Sequence, residues 1–233
     1  GAFGDRGGIR PDKATLEAEN IAATDVGAKS NLDRHIRNMA SFGVPVVVSI
    51  NRFASDTNAE ISAITNAAHE SGAASVCITE VHGKGGPGGK DLAEAVVKAV
   101  QNHVAAGRPF VPLFVPETDV LEKAEAIATR MYKASGLALD AKAKRELDRI
   151  RSWGYGHLPV CMAKTQYSFS HDPGQLGAPS GFTVPIREFR LNAGAGFIVA
   201  ILGNMMTMPG LPKRPAALDM DMDEDGNLLG VFG

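Results

Sequence analysis

The sequence predicts an α/β fold: a layered, mostly parallel sheet with flanking helices, followed by a smaller α+β domain. Three observations carry this. Val44 to Ile50 and Ser75 to Thr79 are short apolar runs, the pattern of parallel strands buried on both faces. Helical patterns precede, separate and follow them, in the order of a doubly wound layer. Past Gly107 the prolines Pro109, Pro112 and Pro116 interrupt regular structure, so a boundary is expected there, giving domains 1–108 and 109–233.

The elements follow in order. Leu32, Ile36 and Met39 recur at helical spacing, and Gly43 stops that helix. After the first strand, Thr57 and Glu60 have the spacing of a capping box, which satisfies two amides at a helix start. Ile61, Ile64 and Ala68 form one face of that helix, and Gly72 ends it. The second strand leads into a Gly-rich turn, then a helix carrying Leu92, Val96 and Val100. Beyond the prolines, Val120, Ala124, Ile127 and Met131 mark one helix, and Leu147 with Ile150 another. Strands are expected at Leu158 to Ala163, Phe182 to Leu191 and Gly196 to Leu202, with a turn at Asn192 to Ala195. The tail Asp219 to Asp225 is acidic, and reads as a solvated edge ending in a turn at Asp225-Gly226-Asn227. It lacks the glycine and closing glutamate of a calcium loop.

The totals narrow the function classes. Lys and Arg number 24 against 26 Asp and Glu, which gives no electrostatic reason to expect nucleic acid or a membrane surface as partner. No apolar run reaches membrane-spanning length. Cys77 and Cys161 lie in apolar runs and are expected as buried free thiols in a reducing cytoplasm. His69, His103 and His171 are expected on solvated surface, and no metal-ligand cluster is apparent. The opening Gly1-Ala-Phe-Gly4 reads as an internal cut, so a fragment of a longer chain is expected.

Five segments could carry chemistry. Gly83-Lys-Gly-Gly-Pro-Gly-Gly-Lys-Asp91 sits between strand and helix, the setting of a phosphate cradle. It fails the nucleotide-loop pattern twice: Lys84 stands where the first glycine belongs, and Asp91 where the magnesium-binding hydroxyl belongs. A plain turn is favoured, with Lys84 and Gly85 as possible loop contacts to an anion. Asn51-Arg-Phe-Ala-Ser-Asp56 lies past the carboxyl end of a strand, where open α/β sheets place ligands. Phe53 there either folds into the core, the favoured reading from the residues alone, or offers a face for stacking. His82 ends the neighbouring strand, so the two could wall one slot if the strands are adjacent. Arg190-Leu-Asn-Ala-Gly-Ala-Gly-Phe197 allows close backbone approach, or is simply a tight hairpin. Lys164-Thr165-Gln166 and Thr207-Met-Pro-Gly-Leu-Pro212 each follow an apolar strand; Lys164 reads best as a surface lysine.

These segments, with Met162 to Ser168 and Val46 to Phe53, closely resemble the C-terminal part of the formate–tetrahydrofolate ligase family, from about Asn31 to Phe232. The resemblance implies a P-loop NTPase-like layer and the ATP-dependent joining of formate to tetrahydrofolate through formyl phosphate. It implies a pterin site at Phe53, Ala54, Ile78 and His82, where Ala54 replaces the family's usual Pro and His82 its usual Trp. An imidazole offers less stacking area than an indole and can take up a proton near neutral pH. The resemblance also places Asn192, Ala193 and Gly194 on the adenine side of a nucleotide site. ATP with magnesium and tetrahydrofolate are then substrates of the complete enzyme, with no tightly bound cofactor. A cytoplasmic homo-oligomer completed by the remainder of the ligase chain is expected, and the isolated chain is expected to be inactive. Two rivals stand beside this reading. Asn51 to Ala54 is similar to the guanine-reading Asn-Lys-x-Asp motif of another P-loop NTPase, with Arg52 for the Lys and Ala54 for the Asp. A non-catalytic assembly module is the other.

Overall fold

The computed structural model describes residues 18–203, 214–225 and 228–229. Arg6 to Arg10 and Thr207 to Pro212 lie outside the described residues. The chain forms two compact units that divide after Gly203. In the smaller one, β8 (Asp221–Met222) pairs antiparallel with β9 (Leu228–Leu229). Met220 and Met222 are exposed there, as expected of a solvated acidic edge.

The larger unit is mixed α/β with small, partly parallel sheets. Its described residues open with α1 (Ile21–Gly27), a π-helical turn (Ala28–Leu32) and α2 (Asp33–Ala40). Gly43 then turns at a φ of 77°, a conformation that glycine adopts without a Cβ clash. β1 (Val47–Asn51) and β2 (Ser75–Thr79) form a parallel pair, Val47 opposite Ser75 and Asn51 opposite Thr79. Between them runs α3 (Asn58–Glu70), started by the full Thr57–Glu60 capping box. The Gly-rich segment is not an open turn. It folds into α4 (Val81–Lys84) and a 3-10 turn (Gly86–Gly89) before α5 (Lys90–Ala105). Burial of these strands on both faces is not observed. Val48 packs into a buried cluster with Ile36, Ala68 and Ala73, whereas Ser49, Asn51 and Ile78 are exposed. Among the described residues the sheet has two strands, too few to be covered throughout.

The main core lies further along. α6 (Val120–Ala126), continued by a π-helical turn (Ile127–Met131), and α7 (Ala141–Ser152) bury Val120, Ala124, Leu147 and Ile150 against strand residues. Between the helices, β3 (Gly136–Leu139) pairs parallel with β5 (Thr183–Ile186). β4 (Val160–Ala163) pairs parallel with β7 (Phe197–Ile201), which pairs antiparallel with β6 (Glu188–Asn192). The single strand expected over Phe182 to Leu191 is therefore two. At Arg187 the chain leaves one ladder for another, Ile186 accepting from the Asp140 amide and Arg187 donating to Ile201, at 3.0 and 2.9 Å. Cys77 is buried as expected, but Cys161 is exposed, because it alternates with the buried Val160 on a strand with one open face.

Lys123, 1% exposed, ties this core to its connections. Its ammonium donates to the Pro116 carbonyl at 2.6 Å and to that of His157. Burial pulls its pKa below the ordinary lysine value, against the pull of Asp119.

Candidate functional site

Parallel pairing brings the ends of β1 and β2 side by side, so the loops that leave them share one edge of the sheet. The Arg52 amide donates to the Thr79 carbonyl at 2.9 Å and joins the two exits. The first loop closes on itself. Asp56 accepts from the Phe53 amide through its carboxylate at 2.7 Å, and its own amide donates to the Phe53 carbonyl at 3.1 Å. This short ring fixes the backbone of Phe53 and leaves its side chain 60% exposed. The phenyl ring therefore stays out of the core, contrary to the reading favoured from residues alone. Ala54 follows it, also exposed.

On β2, Ile78 is 43% exposed opposite the buried Ile50. His82 stands exposed on α4, directly after the strand. The polypeptide beyond it is held tightly. The amides of Gly83 and Lys84 both donate to the Glu80 carbonyl, that of Gly85 to Val81 and that of Gly88 to Gly85. Lys84 forms an ion pair with Glu80, and this bond holds the Glu80 carboxyl below the usual carboxylate range. Gly85 has a φ of 58°, and a Cβ on Gly88 would fall 2.6 Å from the Glu80 carbonyl group. The glycines thus let this segment fold back on Glu80. Those four amides are spent within the loop, unlike the outward-facing amides of a phosphate cradle.

Asn192, Ala193 and Gly194 form the exposed tip of the β6–β7 hairpin, closed by the Gly196 amide donating to Asn192 at 2.9 Å. Lys164 is not a free surface lysine. It is half-buried, its ammonium donating to Thr165 at 2.9 Å and to Ser168, and it lies 5.3 Å from the centre of the Tyr132 ring. Burial lowers its pKa and pushes that of the Tyr132 hydroxyl up to about 12. His171 is also half-buried, with its Nδ1 shielded and unpartnered, while His69 is exposed as expected.

A cleft of about 830 Å³ opens beyond the carboxyl end of β1, lined by Asn51, Ser55 and Asp56, by Glu60 and Ile64 of α3, and by Ala178. Phe53, Ala54, Ile78 and His82 do not line it. Sequence reasoning missed this cleft because Glu60 reads only as a helix cap. Glu60 also accepts from the Asn20 amide at 2.9 Å, and its backbone bonds hold its pKa down. Among the described residues no group of three His, Cys, Asp or Glu could hold a metal ion, and no helix is long and apolar enough to cross a membrane.

Comparison with known proteins matches the sequence of this chain to one family. The profile described as formate–tetrahydrofolate ligase covers residues 2–232. The chain is 46% identical over 226 residues to the formate–tetrahydrofolate ligase of Maricaulis maris, covering 97% of this chain and 39% of that one. It is 48% identical to the Paracoccus denitrificans enzyme, over 94% of this chain and 39% of the relative. Against the Lactiplantibacillus plantarum enzyme it is 49% identical, over 93% and 38% respectively. The chain therefore spans about two fifths of the length of these relatives. With the family profile matched along nearly its whole length, the chain belongs to the formate–tetrahydrofolate ligase family.

Proposed function

We propose that this chain supplies the pterin-facing part of an ATP-dependent ligase that makes 10-formyltetrahydrofolate. In that reaction a formate oxygen attacks the γ-phosphoryl group of ATP, giving formyl phosphate and ADP. The folate nitrogen then attacks the formyl carbon, loses its proton and expels phosphate. Positioning a planar pterin for that second attack is the task that suits this chain. The observation that carries the reading is the exposed Phe53 on a loop pinned by Asp56 at a strand end. Ile78 and His82, at the adjacent strand end, would add an apolar wall and a second planar group.

The finer parts of the reading rest on family membership. Ala54 lies beside the pterin, Asn192, Ala193 and Gly194 face the adenine side, and Lys84 and Gly85 stay near an anionic group. The layer is P-loop NTPase-like, with domains 1–108 and 109–233, in a cytoplasmic homo-oligomer. Phosphate handling and magnesium belong to the other three fifths of a family chain, so the isolated chain is inactive. An assembly role is the second reading, favoured by the exposed valines of α5.

Calorimetric titration of the chain with tetrahydrofolate tests the proposal. Saturable binding is expected, with Phe53→Ala weakening it about tenfold or more, from lost stacking and burial. His82→Trp is expected to keep or strengthen it. Equal binding by Phe53→Ala would place the pterin elsewhere.

A further inference from the structure

Among the described residues, α5 is the least covered long helix: none of its residues is buried. Its sheet side is legible. Cys77 of β2 lies against its first turn, the thiol 3.8 Å from the Asp91 carbonyl, and Leu92, Ala95 and Ala99 are half-buried. The other side carries Val96, Val97, Val100 and Val104, which are 43–71% exposed. Positions 96, 100 and 104 stack at successive turns, and 97 widens the stripe, so the four share one face. Valine is a poor choice for an exposed helix face, since branching at Cβ restricts its rotamers and gains nothing in water. Four together mark a surface that is covered in a larger assembly.

The neighbouring sheet points to the kind of cover. β1 and β2 are parallel, and parallel sheets occur with both faces covered. On the α5 face of this sheet, Ser49 and Asn51 remain exposed. The layer is thus incomplete on the side where the valines lie bare, and about three fifths of each relative's length lies outside the part matched here.

We propose that the Val96–Val97–Val100–Val104 face of α5 is the docking surface for the remaining three fifths of a family chain. The proposal rests on the reading of this chain as one part of the ligase, and it assigns which surface joins the parts. An apolar element laid on the stripe would bury the four valines and extend cover over the adjoining sheet face.

The test uses the chain as it stands and the portion of the Lactiplantibacillus plantarum relative that it does not match. Association is measured by calorimetry and light scattering. Wild-type chain is expected to form a one-to-one complex. V97K/V100K is expected to weaken it by about a hundredfold, because two ammonium groups would be buried without partners. Glu125→Lys, on the exposed side of α6, is expected to leave it unchanged. Amides of residues 90–105 are expected to gain hydrogen-exchange protection in the complex. The variant's own melting should match wild type, since both valines are exposed. Three results would overturn the proposal: no complex with wild type, a complex indifferent to V97K/V100K, or a homodimer of wild-type chain that V97K/V100K abolishes, which would assign the face to a second copy. Tetrahydrofolate binding by the chain alone is a separate readout. Its loss with association intact would sink the pterin reading and leave the docking face standing.

Discussion

Phe53 shows how a residue that would otherwise seek the core is kept at the surface. A phenyl ring in water forfeits apolar burial, so something must hold it there, and the Asp56 carboxylate on its amide does so. Removing the ring should therefore cost binding and not folding. Phe53→Ala is expected to shift stability by less than about 0.5 kcal/mol in urea unfolding, as for other exposed positions. Gly88 is the opposite case. A methyl group there meets the Glu80 backbone at 2.6 Å, with no flexible side chain to give way. Gly88→Ala is expected to destabilise by about 1–3 kcal/mol in the same measurement. The capping role of Thr57 and Glu60 was readable from spacing alone, because both partners lie within one helical turn. The exposure of Phe53 was not, because local sequence does not say whether the core has room for the ring.

At the scale of elements, the parallel strands and their intervening helix could be read in order, and the ladder confirms that β1 and β2 are neighbours. β3 escaped notice because Gly136-Leu-Ala-Leu139 carries no β-branched residue and is four residues long. The break at Arg187 escaped because its cause is a change of partner strand, which leaves no local mark. The start of α6 gives a prediction with a definite sign. Asp119 accepts from the Leu121 amide at 2.9 Å and takes two bonds from Arg151, at 2.6 and 3.0 Å. The Arg151 bonds, then the Leu121 amide, hold its pKa below the ordinary aspartate value of 3.8. An acid with a lowered folded-state pKa stabilises the fold above its unfolded pKa, and that stability is lost as pH falls through the folded value. The melting temperature of wild type is therefore expected to fall more steeply below about pH 4 than that of Asp119→Asn. Parallel slopes would show that this cap and ion pair contribute nothing to folding.

For the whole molecule, the proposed division of labour rests on what the described residues offer. They present a pinned aromatic, an apolar strand end and an imidazole on one sheet edge, while the Gly-rich segment spends its amides on itself. On the proposed reading, these groups position the pterin ring. The central claim is that Phe53 and His82 wall one pterin slot, and a double-mutant cycle on tetrahydrofolate affinity tests it most directly. Wild type, Phe53→Ala, His82→Ala and the double variant would be titrated calorimetrically. Two walls on one ring predict that each single substitution weakens binding and that the double variant loses less than their sum, with a coupling of about 0.5–1.5 kcal/mol. Strict additivity, or affinity untouched by either substitution, would contradict the slot.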